Sequence, residues 1–182
     1  MITAGATREY LDPVRYLSSP SSGLTAYEIA KVACKYGTKV TLVSAKTHFD
    51  FPIHISKFIT IVSAMEMYNV VQKLDCDIFI ATASVADYRT TEIVKNKIKR
   101  KTAELQINLV ANPDIVKSIS KREIKPFIVA FAAETENDLQ LGWQKLQQKN
   151  ADMLVFNLVG KNLGFAVSEN EYTVLIKGGS FC

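Results

Sequence analysis

The sequence predicts a doubly wound α/β fold, in which a mainly parallel sheet is covered by helices on both faces. Short apolar runs rich in β-branched residues alternate along the chain with stretches of helical periodicity. These runs lack polar alternation, so each strand is expected to be buried on both of its faces. With 182 residues, of which 48% are hydrophobic and 22% charged, the chain has the composition of one globular domain rather than of a disordered protein.

Three strands and one helix are expected in the first third of the chain. Residues 2–4 are an apolar strand, and residues 5–22 are a long loop rich in Pro, Ser and Gly. A helix over residues 24–36 has apolar positions three and four residues apart and ends at Gly37, since glycine readily terminates helices. Two further buried strands are predicted at residues 39–43 and 58–62.

A second helix is predicted to begin at Ser63, because Ser63 and Glu66 have the spacing of a capping box. Val70 and Val71 continue the apolar face of this helix. The run Asp-Ile-Phe-Ile-Ala at residues 77–81 predicts the next strand.

The last third of the chain continues the alternation of strands and helices. Residues 112–114 (Asn-Pro-Asp) predict the start of a short helix with proline at its first position. Strands predicted at residues 126–131 and 151–156 flank a helix over residues 135–150. A late strand at residues 171–176 is expected to pair antiparallel with the sheet.

Residues 83–111 interrupt the alternation and predict a flap that contains a β-hairpin. The flap includes a basic segment, residues 95–101 (Lys-Asn-Lys-Ile-Lys-Arg-Lys), with five bases and no acid. The chain has 22 basic and 18 acidic residues, a net charge of +4, and without these five bases 17 remain against 18 acids, a net charge of −1. In an extended conformation four lysines of the segment share one face, namely Lys95, Lys97, Lys99 and Lys101.

Such a row of lysines predicts a contact with a polyphosphate, where cations stabilise the charge that develops at phosphorus. A solvated surface hairpin is the alternative interpretation. The near-neutral remainder of the chain argues against a nucleic-acid-binding protein, which would show a broad basic face.

Composition argues against several other classes of protein. No apolar run approaches the roughly 18 residues that a membrane-spanning helix needs, and residues 1–10 contain no hydrophobic signal core. The three cysteines form no CxxC pair, which predicts a reducing, cytoplasmic environment rather than a disulfide scaffold or a zinc ribbon. His48 and His54 have no Cys or acidic residue at ligand spacing, so no metal site is expected there.

Both ends of the chain are abrupt for this fold class. The strand at residues 2–4 is short for the centre of a doubly wound sheet, and residues 178–182 end without a closing helix. We therefore expect residues 1–182 to be a single domain that is trimmed at one or both ends.

Two motifs follow predicted strands at the edge where doubly wound sheets bind ligands. Ser21, Ser22 and Gly23 open the first helix, and backbone amides there are suited to a phosphate or carboxylate. A simple helix cap is the alternative. Residues 81–87 (Ala-Thr-Ala-Ser-Val-Ala-Asp) place small side chains after a strand, so that a ligand can approach the backbone and meet the carboxylate of Asp87. A tight turn with a solvated Asp is the alternative.

Two further motifs and a pair of lysines complete the candidate site. Residues 112–115 (Asn-Pro-Asp-Ile) open a helix, and residues 131–135 (Phe-Ala-Ala-Glu-Thr) again place small residues after a strand. Lys145 and Lys149 lie four residues apart on one helix face and would bind phosphate if they face the site. The alternative interpretation is that both lysines are ordinary surface residues that keep the protein soluble.

The ordered set of motifs resembles that of the phosphopantothenoylcysteine synthetases (phosphopantothenate–cysteine ligases). In many bacteria this family forms the carboxyl-terminal half of a bifunctional flavoprotein of coenzyme A biosynthesis. Any one motif is weak, but the order of all of them is specific and covers nearly the whole chain. The motifs are Ile2-Thr-Ala-Gly, Thr7-Arg-Glu, Asp12-Pro-Val-Arg-Tyr, Ser21-Ser-Gly, Val85-Ala-Asp-Tyr-Arg, Lys97-Ile-Lys, Asn112-Pro-Asp-Ile and Phe131-Ala-Ala-Glu-Thr.

The resemblance implies a Rossmann-like fold and a two-step ligation. The carboxylate of 4′-phosphopantothenate attacks the α-phosphate of CTP, which releases pyrophosphate and forms an acyl-cytidylate. The amino group of L-cysteine then displaces CMP. Mg²⁺ accompanies CTP, and no metal ligand is assigned to the protein's side chains. The resemblance also implies a homodimer whose site is completed near the subunit interface, and a phosphopantothenoylcysteine decarboxylase that is fused or separate.

The resemblance also assigns roles to individual residues. Lys97 and Ser19 take the catalytic positions. The phosphopantothenate and the acyl intermediate are held by Arg15, Ser21, Ser22 and Gly23. The nucleotide is bound by Ala81, Thr82, Ala83, Asp87, Asn112, Pro113, Asp114, Ile115, Phe131, Lys145 and Lys149.

Two departures from the family pattern favour an alternative, a catalytically weakened nucleotide-binding domain. The family loop Ser-Asn-His-Ser-Ser-Gly reads Ser-Ser-Pro-Ser-Ser-Gly at residues 18–23, so Ser19 replaces the Asn that contacts the acyl intermediate. Serine offers one hydroxyl in place of an amide donor and a carbonyl acceptor, and losing such a contact costs on the order of 10²–10³ in rate. Residues 24–26 (Leu-Thr-Ala) also replace the family's Lys-Met-Gly.

A nicotinamide-dependent oxidoreductase is the other enzyme class considered for this fold. The chain has no G-x-G-x-x-G motif, and no acidic residue ends its second predicted strand. Both are expected where a dinucleotide binds, so this class is disfavoured.

Overall fold

A computed structural model describes residues 1–47, 49–51, 54–100, 103–135, 138–159 and 171–179. In chain order its elements are β1 (Ile2–Ala4), β2 (Glu9–Tyr10), β3 (Tyr16–Leu17), α1 (Leu24–Lys35), β4 (Thr41–Ser44), β5 (Lys57–Thr60), α2 (Ala64–Gln72), β6 (Ile78–Ala81), β7 (Tyr88–Thr90), β8 (Leu109–Ala111), α3 (Ile115–Ile119), β9 (Phe127–Glu134), α4 (Leu139–Gln148), β10 (Met153–Leu158) and β11 (Thr173–Ile176).

A seven-stranded sheet in the order β11-β10-β9-β6-β1-β4-β5 forms the centre of the molecule. All neighbouring strands in it are parallel except β10 and β11, which pair antiparallel. The chain therefore moves outward from β1 to β5 and then returns to the other side of β1 with β6. This arrangement confirms the predicted fold class, including the antiparallel late strand.

Apolar side chains bury the sheet on both faces. On one face, Ala26 and Ala30 of α1 pack against Leu42 of β4. On the other face, Met67 of α2 and Leu146 of α4 belong to a larger cluster with the sheet. Because successive strand residues point to opposite faces, unbroken apolar strands are what this two-sided core requires.

The predicted loop at residues 5–22 contains a small hairpin, β2–β3, that the sequence analysis missed. Its strands have two residues each, and its cross-strand pair is Tyr10 and Tyr16, whose ring centroids lie 5.3 Å apart. Strands this short show no periodicity in a sequence, so only the buried contacts of the turn between them specify the hairpin.

Two helix starts differ from the prediction because an aspartate caps each helix. Asp114 is the N-cap of α3 and accepts a hydrogen bond from the backbone N–H of Lys117 at 2.9 Å. Pro113 thus precedes the cap and is not the first helical residue. Asp138 caps α4, so this helix begins at Leu139, whereas the predicted start, residue 135, is the residue after the end of β9.

Within the described ranges, no helix is long and apolar enough to cross a membrane.

Candidate functional site

A cavity of about 610 Å³ lies where the strand order reverses, between β1 and β6. In doubly wound sheets this switch point, at the carboxyl ends of the strands, is where ligands bind. The size of the cavity suits a small organic ligand. Its walls come from the start of α1, the loop after β6, the start of α3, the end of β9 and two lysines of α4.

The topology brings together most of the residues that the sequence analysis selected. All eleven residues assigned to the nucleotide line this cavity, as do the three residues that open α1. They come from separate segments of the chain and meet because parallel strands end at the same edge of a sheet. Their binding roles stay predictions. They are Ser21, Ser22, Gly23, Ala81, Thr82, Ala83, Asp87, Asn112, Pro113, Asp114, Ile115, Phe131, Lys145 and Lys149.

Helix α1 starts at the cavity without a side-chain cap. Gly23 is its N-cap residue, with φ of 86°, and has no side chain to bond the first-turn amides. The hydroxyl of Ser22 accepts one hydrogen bond, from the backbone N–H of Leu24 at 3.3 Å. Amides of an uncapped first turn carry partial positive charge, which favours an anion at this end of the helix.

The small-residue loop after β6 is held in place by bonds to the loop after β1. Thr82 donates its hydroxyl to the carbonyl of Thr3 at 2.5 Å, and the backbone N–H of Ala86 donates to the hydroxyl of Thr7 at 3.0 Å. The backbone N–H of Ser84 donates to the carbonyl of Gly5 at 2.9 Å. The loop therefore presents a fixed backbone surface to the cavity.

Asn112 lines the cavity, but its side-chain amide is already engaged. Its Nδ2 donates to the carbonyl of Ala86 at 2.8 Å, and its Oδ1 accepts from Arg89 at 3.2 Å. Its backbone N–H donates to the carbonyl of Asp87 at 2.7 Å. Asn112 thus shapes the loop that carries Asp87, whose exposed carboxylate has no hydrogen-bond or ion-pair partner among the described residues.

Lys145 of α4 and Lys149, the C-cap residue of that helix, line the cavity and pair with acids that also line it. Lys145 pairs with Glu134 at the end of β9. Lys149 pairs with Asp114, the N-cap of α3, with 3.0 Å between Nζ and Oδ2. An anionic ligand would therefore meet lysines already oriented by carboxylates rather than free surface charges.

Tyr172 is a cavity residue that the sequence analysis missed. Its ring meets that of Phe131 edge-on, with centroids 6.3 Å apart, and its Oη lies 3.2 Å from Oγ1 of Thr25 on α1. It stands just before β11, so its place opposite α1 depends on the pairing of β11 with β10. No local signal in the sequence marks it beyond an aromatic residue next to a predicted strand.

Three of the predicted site residues, Arg15, Ser19 and Lys97, do not line the cavity. The basic segment is instead fastened to the turn between β2 and β3: Arg15 Nη1 donates to the carbonyl of Ile98 at 2.9 Å. The chain bends at residues 95–96, within the segment that the predicted row of lysines takes as extended. Lys101, the last of the four lysines, lies outside the described residues, so their shared face stays a prediction.

Asp12 is the centre of this attachment. The hydrogen bond from the backbone N–H of Ile98, together with bonds from Val14 and Arg15, lowers the pKa of the Asp12 carboxyl to about 2. A carboxylate that accepts several N–H groups is stabilised in its charged form.

A second cavity, of about 710 Å³, lies at the carboxyl ends of β4 and β5. Its lining includes the aromatic side chains of Tyr10, Phe49, Phe51 and Phe58. None of the residues that the sequence analysis assigned to ligands lines it, so the switch-point cavity is the candidate site.

Comparison with known proteins identifies the family. The family model described as "DNA/pantothenate metabolism flavoprotein C-terminal domain" matches residues 1–181. The chain belongs to this family. Among curated relatives, the coenzyme A biosynthesis bifunctional protein CoaBC of Haemophilus influenzae is 40% identical over 181 residues, covering 98% of this chain and 45% of that protein. CoaBC of Vibrio vulnificus is 44% identical, covering 96% and 45%. The chain thus spans about half the length of these relatives.

Solved structures share the fold of this chain. The crystal structure of the C-terminal domain of a CoaBC protein matches with a TM-score of 0.80 at 35% identity, covering 98% of this chain and 81% of that one. A Cab2 mutant in complex with phosphopantothenate-cysteine matches with a TM-score of 0.68 at 18% identity, covering 87% and 71%. At that identity the likeness concerns the fold alone.

Proposed function

We propose that this chain is a phosphopantothenate–cysteine ligase domain that uses CTP and acts in coenzyme A biosynthesis in the cytoplasm. The observation that carries the proposal is the convergence of all eleven predicted nucleotide residues on one cavity at the switch point. The family membership and the CoaBC relatives support the same pathway. In this proposal the decarboxylase that acts on the product is a fused or separate partner.

The chemistry requires a carboxylate to be activated before an amine can attack it. A carboxylate oxygen of 4′-phosphopantothenate attacks the α-phosphorus of CTP, and the bond to the leaving pyrophosphate breaks. The amino group of L-cysteine then attacks the acyl carbon and loses a proton. The bond between the acyl carbon and the oxygen that bridges it to phosphorus breaks, and CMP leaves with that oxygen. In the second step CMP is a far better leaving group than the oxide ion that an unactivated carboxylate would have to expel.

The cavity offers groups suited to each part of this reaction. The uncapped first turn of α1 is suited to phosphate oxygens, and the small side chains of residues 81–86 let the ligand lie against the backbone. The exposed carboxylate of Asp87 is placed to accept hydrogen bonds from the sugar or the base. Lys145 and Lys149 add positive charge at the wall formed by α4.

Mg²⁺ is proposed to enter with CTP. Among the residues described, no three His, Cys, Asp or Glu side chains lie together in a way that could hold a metal ion. Phosphate oxygens are the hard ligands that Mg²⁺ prefers, and the bound ion would neutralise charge on the leaving pyrophosphate.

We propose that a second copy of the chain completes the site. Arg15 lies in the turn between β2 and β3 and Lys97 in the flap, both outside the cavity of their own chain. The flap also exposes large apolar side chains: Tyr88 is 56% exposed, Ile93 63% and Leu105 60%. Large exposed apolar side chains are a feature of interfaces, and in the proposed homodimer these cations would reach the partner's cavity. Analytical ultracentrifugation should find a dimer, and a strictly monomeric yet active protein would contradict this arrangement.

The ligase function is tested by pyrophosphate release. Release should require both CTP and 4′-phosphopantothenate, and L-cysteine should then yield CMP and the ligated product. Lys97→Gln should lower kcat/KM by on the order of 10²-fold, whereas Lys121→Gln, a change at an exposed lysine away from the cavity, should not. A folded dimer that consumes no CTP would contradict the proposal.

A weakened nucleotide-binding domain is the second candidate, and Ser19 is the observation that favours it. Ser19 stands where the resemblance implies an Asn, and it does not line the cavity of its own chain. Ser19→Asn decides between the two candidates. A rate gain on the order of 10²-fold would favour the weakened domain, and an unchanged rate would favour a ligase that works without that amide.

A further inference from the structure

Asp12 is a fully buried carboxylate in the turn between β2 and β3. Its Oδ1 accepts hydrogen bonds from the backbone N–H groups of Val14 and Arg15, both at 2.8 Å. Its Oδ2 accepts from Arg15 Nη1 at 2.8 Å and from the backbone N–H of Ile98 at 2.9 Å. The side chain is 0% exposed, so these four donors replace water entirely.

One carboxylate therefore joins two segments that are far apart in sequence. Arg15 Nη1 also donates to the carbonyl of Ile98 at 2.9 Å, and the backbone N–H of Val94 donates to the carbonyl of Leu11 at 2.9 Å. These contacts join the turn of residues 11–15 to the basic segment and to Val94, the residue before it. Because Lys97 directly precedes Ile98, its backbone is fixed relative to the guanidinium of Arg15.

The same block extends to the β-hairpin of the flap. Thr90 in β7 donates its hydroxyl to the carbonyl of Tyr10 in β2 at 3.0 Å. The β2–β3 hairpin, the flap and the basic segment are thus bonded to each other. The two cations are carried by one unit rather than by a free lysine loop.

The residue at position 12 has to be a carboxylate for this arrangement. An Asn side chain keeps one acceptor oxygen, but its NH₂ group would face the N–H of Ile98 or the backbone donors of the turn. A buried donor would then be left without an acceptor, which is costly in the interior.

We propose that Asp12 is a positioning residue that holds Lys97 in one fixed position relative to Arg15, so that the lysine reaches the phosphates of the ligand. This inference rests on the proposed function. It predicts that the effect of Asp12 on catalysis and on CTP affinity passes through Lys97.

Asp12→Asn is compared with a matched control, Asp152→Asn. Asp152 also accepts a backbone N–H, that of Ile128 at 2.8 Å, and pairs with Lys125 at 2.8 Å, but it stands at the amino end of β10, away from the cavity and the flap. Both variants should lose stability. Only Asp12→Asn should weaken CTP binding and lower kcat/KM, each by at least about 10-fold.

Lys97→Gln supplies the measurement that a purely structural role would not change. In the Lys97→Gln background, Asp12→Asn should lower kcat/KM and CTP affinity little further, because the lysine that Asp12 positions is already gone. Asp152→Asn should have the same effect on stability in this background as in wild type. The inference is wrong if the losses of kcat/KM caused by Asp12→Asn and Lys97→Gln multiply in the double variant. It is also wrong if Asp12→Asn, like Asp152→Asn, leaves CTP affinity unchanged. Should Asp12→Asn fail to fold, Ile98→Pro removes the donor and leaves the carboxylate, with the same expectations.

The two proposals fail in different ways. CTP affinity is measured by titration without turnover, so it reports on Asp12 even in a protein that does not ligate. Wild-type protein that binds CTP but releases no pyrophosphate with 4′-phosphopantothenate would contradict the ligase function alone. Normal ligation in wild type together with unchanged CTP affinity in Asp12→Asn would contradict the positioning role alone.

Discussion

At the scale of single residues, the cavity is built from polar groups that are bonded to neighbouring backbone before any ligand arrives. The amide of Asn112 and the hydroxyls of Thr82 and Thr7 all bond to backbone groups of the facing loop. Such contacts preorganise a site. A residue type can therefore be predicted as part of the site from sequence, while its role as a scaffold becomes visible only with the fold.

Tyr172 is expected to contribute to nucleotide affinity through its ring. Tyr172→Ala should raise the Kd for CTP by roughly 10-fold, since stacking of a base on an aromatic ring is worth about 1–3 kcal/mol. Tyr172→Phe keeps the ring and removes the hydroxyl that contacts Thr25, so it should bind CTP nearly as wild type does. Equal losses in the two variants, measured by titration, would show that the hydroxyl rather than the ring matters.

Gly23 is required by both backbone conformation and space. Its φ is +86°, and a Cβ there would lie 2.6 Å from Cγ2 of Thr47. Gly37 has a similar φ of +73°, but a Cβ added there would have nothing within 4 Å, so Gly37→Ala isolates the backbone cost, about 1–2 kcal/mol.

Gly23→Ala should therefore lose more unfolding free energy in urea than Gly37→Ala does. Thr47→Ser removes the methyl that causes the clash and should bring the Gly23→Ala variant close to the loss seen for Gly37→Ala. If the two glycine variants are equally destabilised, the contact with Thr47 has no energetic weight.

At the scale of elements, the strands of the sheet and a hairpin in the flap (β7 with β8) were predictable, and the β2–β3 hairpin was not. Unbroken apolar runs predict buried strands, and the seven strands of the sheet are found within a few residues of their predicted places. The predicted burial is wrong for β5, which is largely exposed because it lies at the edge of the sheet. The β2–β3 hairpin has two-residue strands, and it depends on the buried carboxylate of Asp12 and on contacts with the flap. Contacts between segments that are far apart in the chain leave no local pattern in the sequence.

The attachment of the flap to the β2–β3 hairpin should depend on pH through Asp12. Its pKa falls from 3.8 to about 2 in the folded protein, so the carboxylate stabilises the fold above pH 3.8 and loses this effect as the pH falls towards about 2. The difference in unfolding free energy between wild type and Asp12→Asn should shrink over that interval. A difference that stays constant from neutral pH down to pH 2 would contradict the assignment.

At the scale of the whole molecule, the basic segment and the switch-point cavity lie in different places. The excess of positive charge is confined to the basic segment, which is bonded to the hairpin turn, and its described residues, 95–100, do not line the cavity of their own chain. The meeting of residues 81–87, 112–115 and 131 at one edge of the sheet follows from the doubly wound fold class, which the sequence predicts. The position of Lys97 does not follow from the fold class, because it depends on a buried contact and, in our proposal, on a second copy of the chain.

The most direct test of the proposed chemistry follows one oxygen atom. With 4′-phosphopantothenate labelled with ¹⁸O in its carboxylate, attack on the α-phosphorus of CTP should leave one ¹⁸O in the CMP released by L-cysteine, detected by mass spectrometry. Labelled CMP in amounts equal to the ligated product is the predicted result. Unlabelled CMP, or label found in inorganic phosphate with CDP as the nucleotide product, would contradict an acyl-cytidylate route.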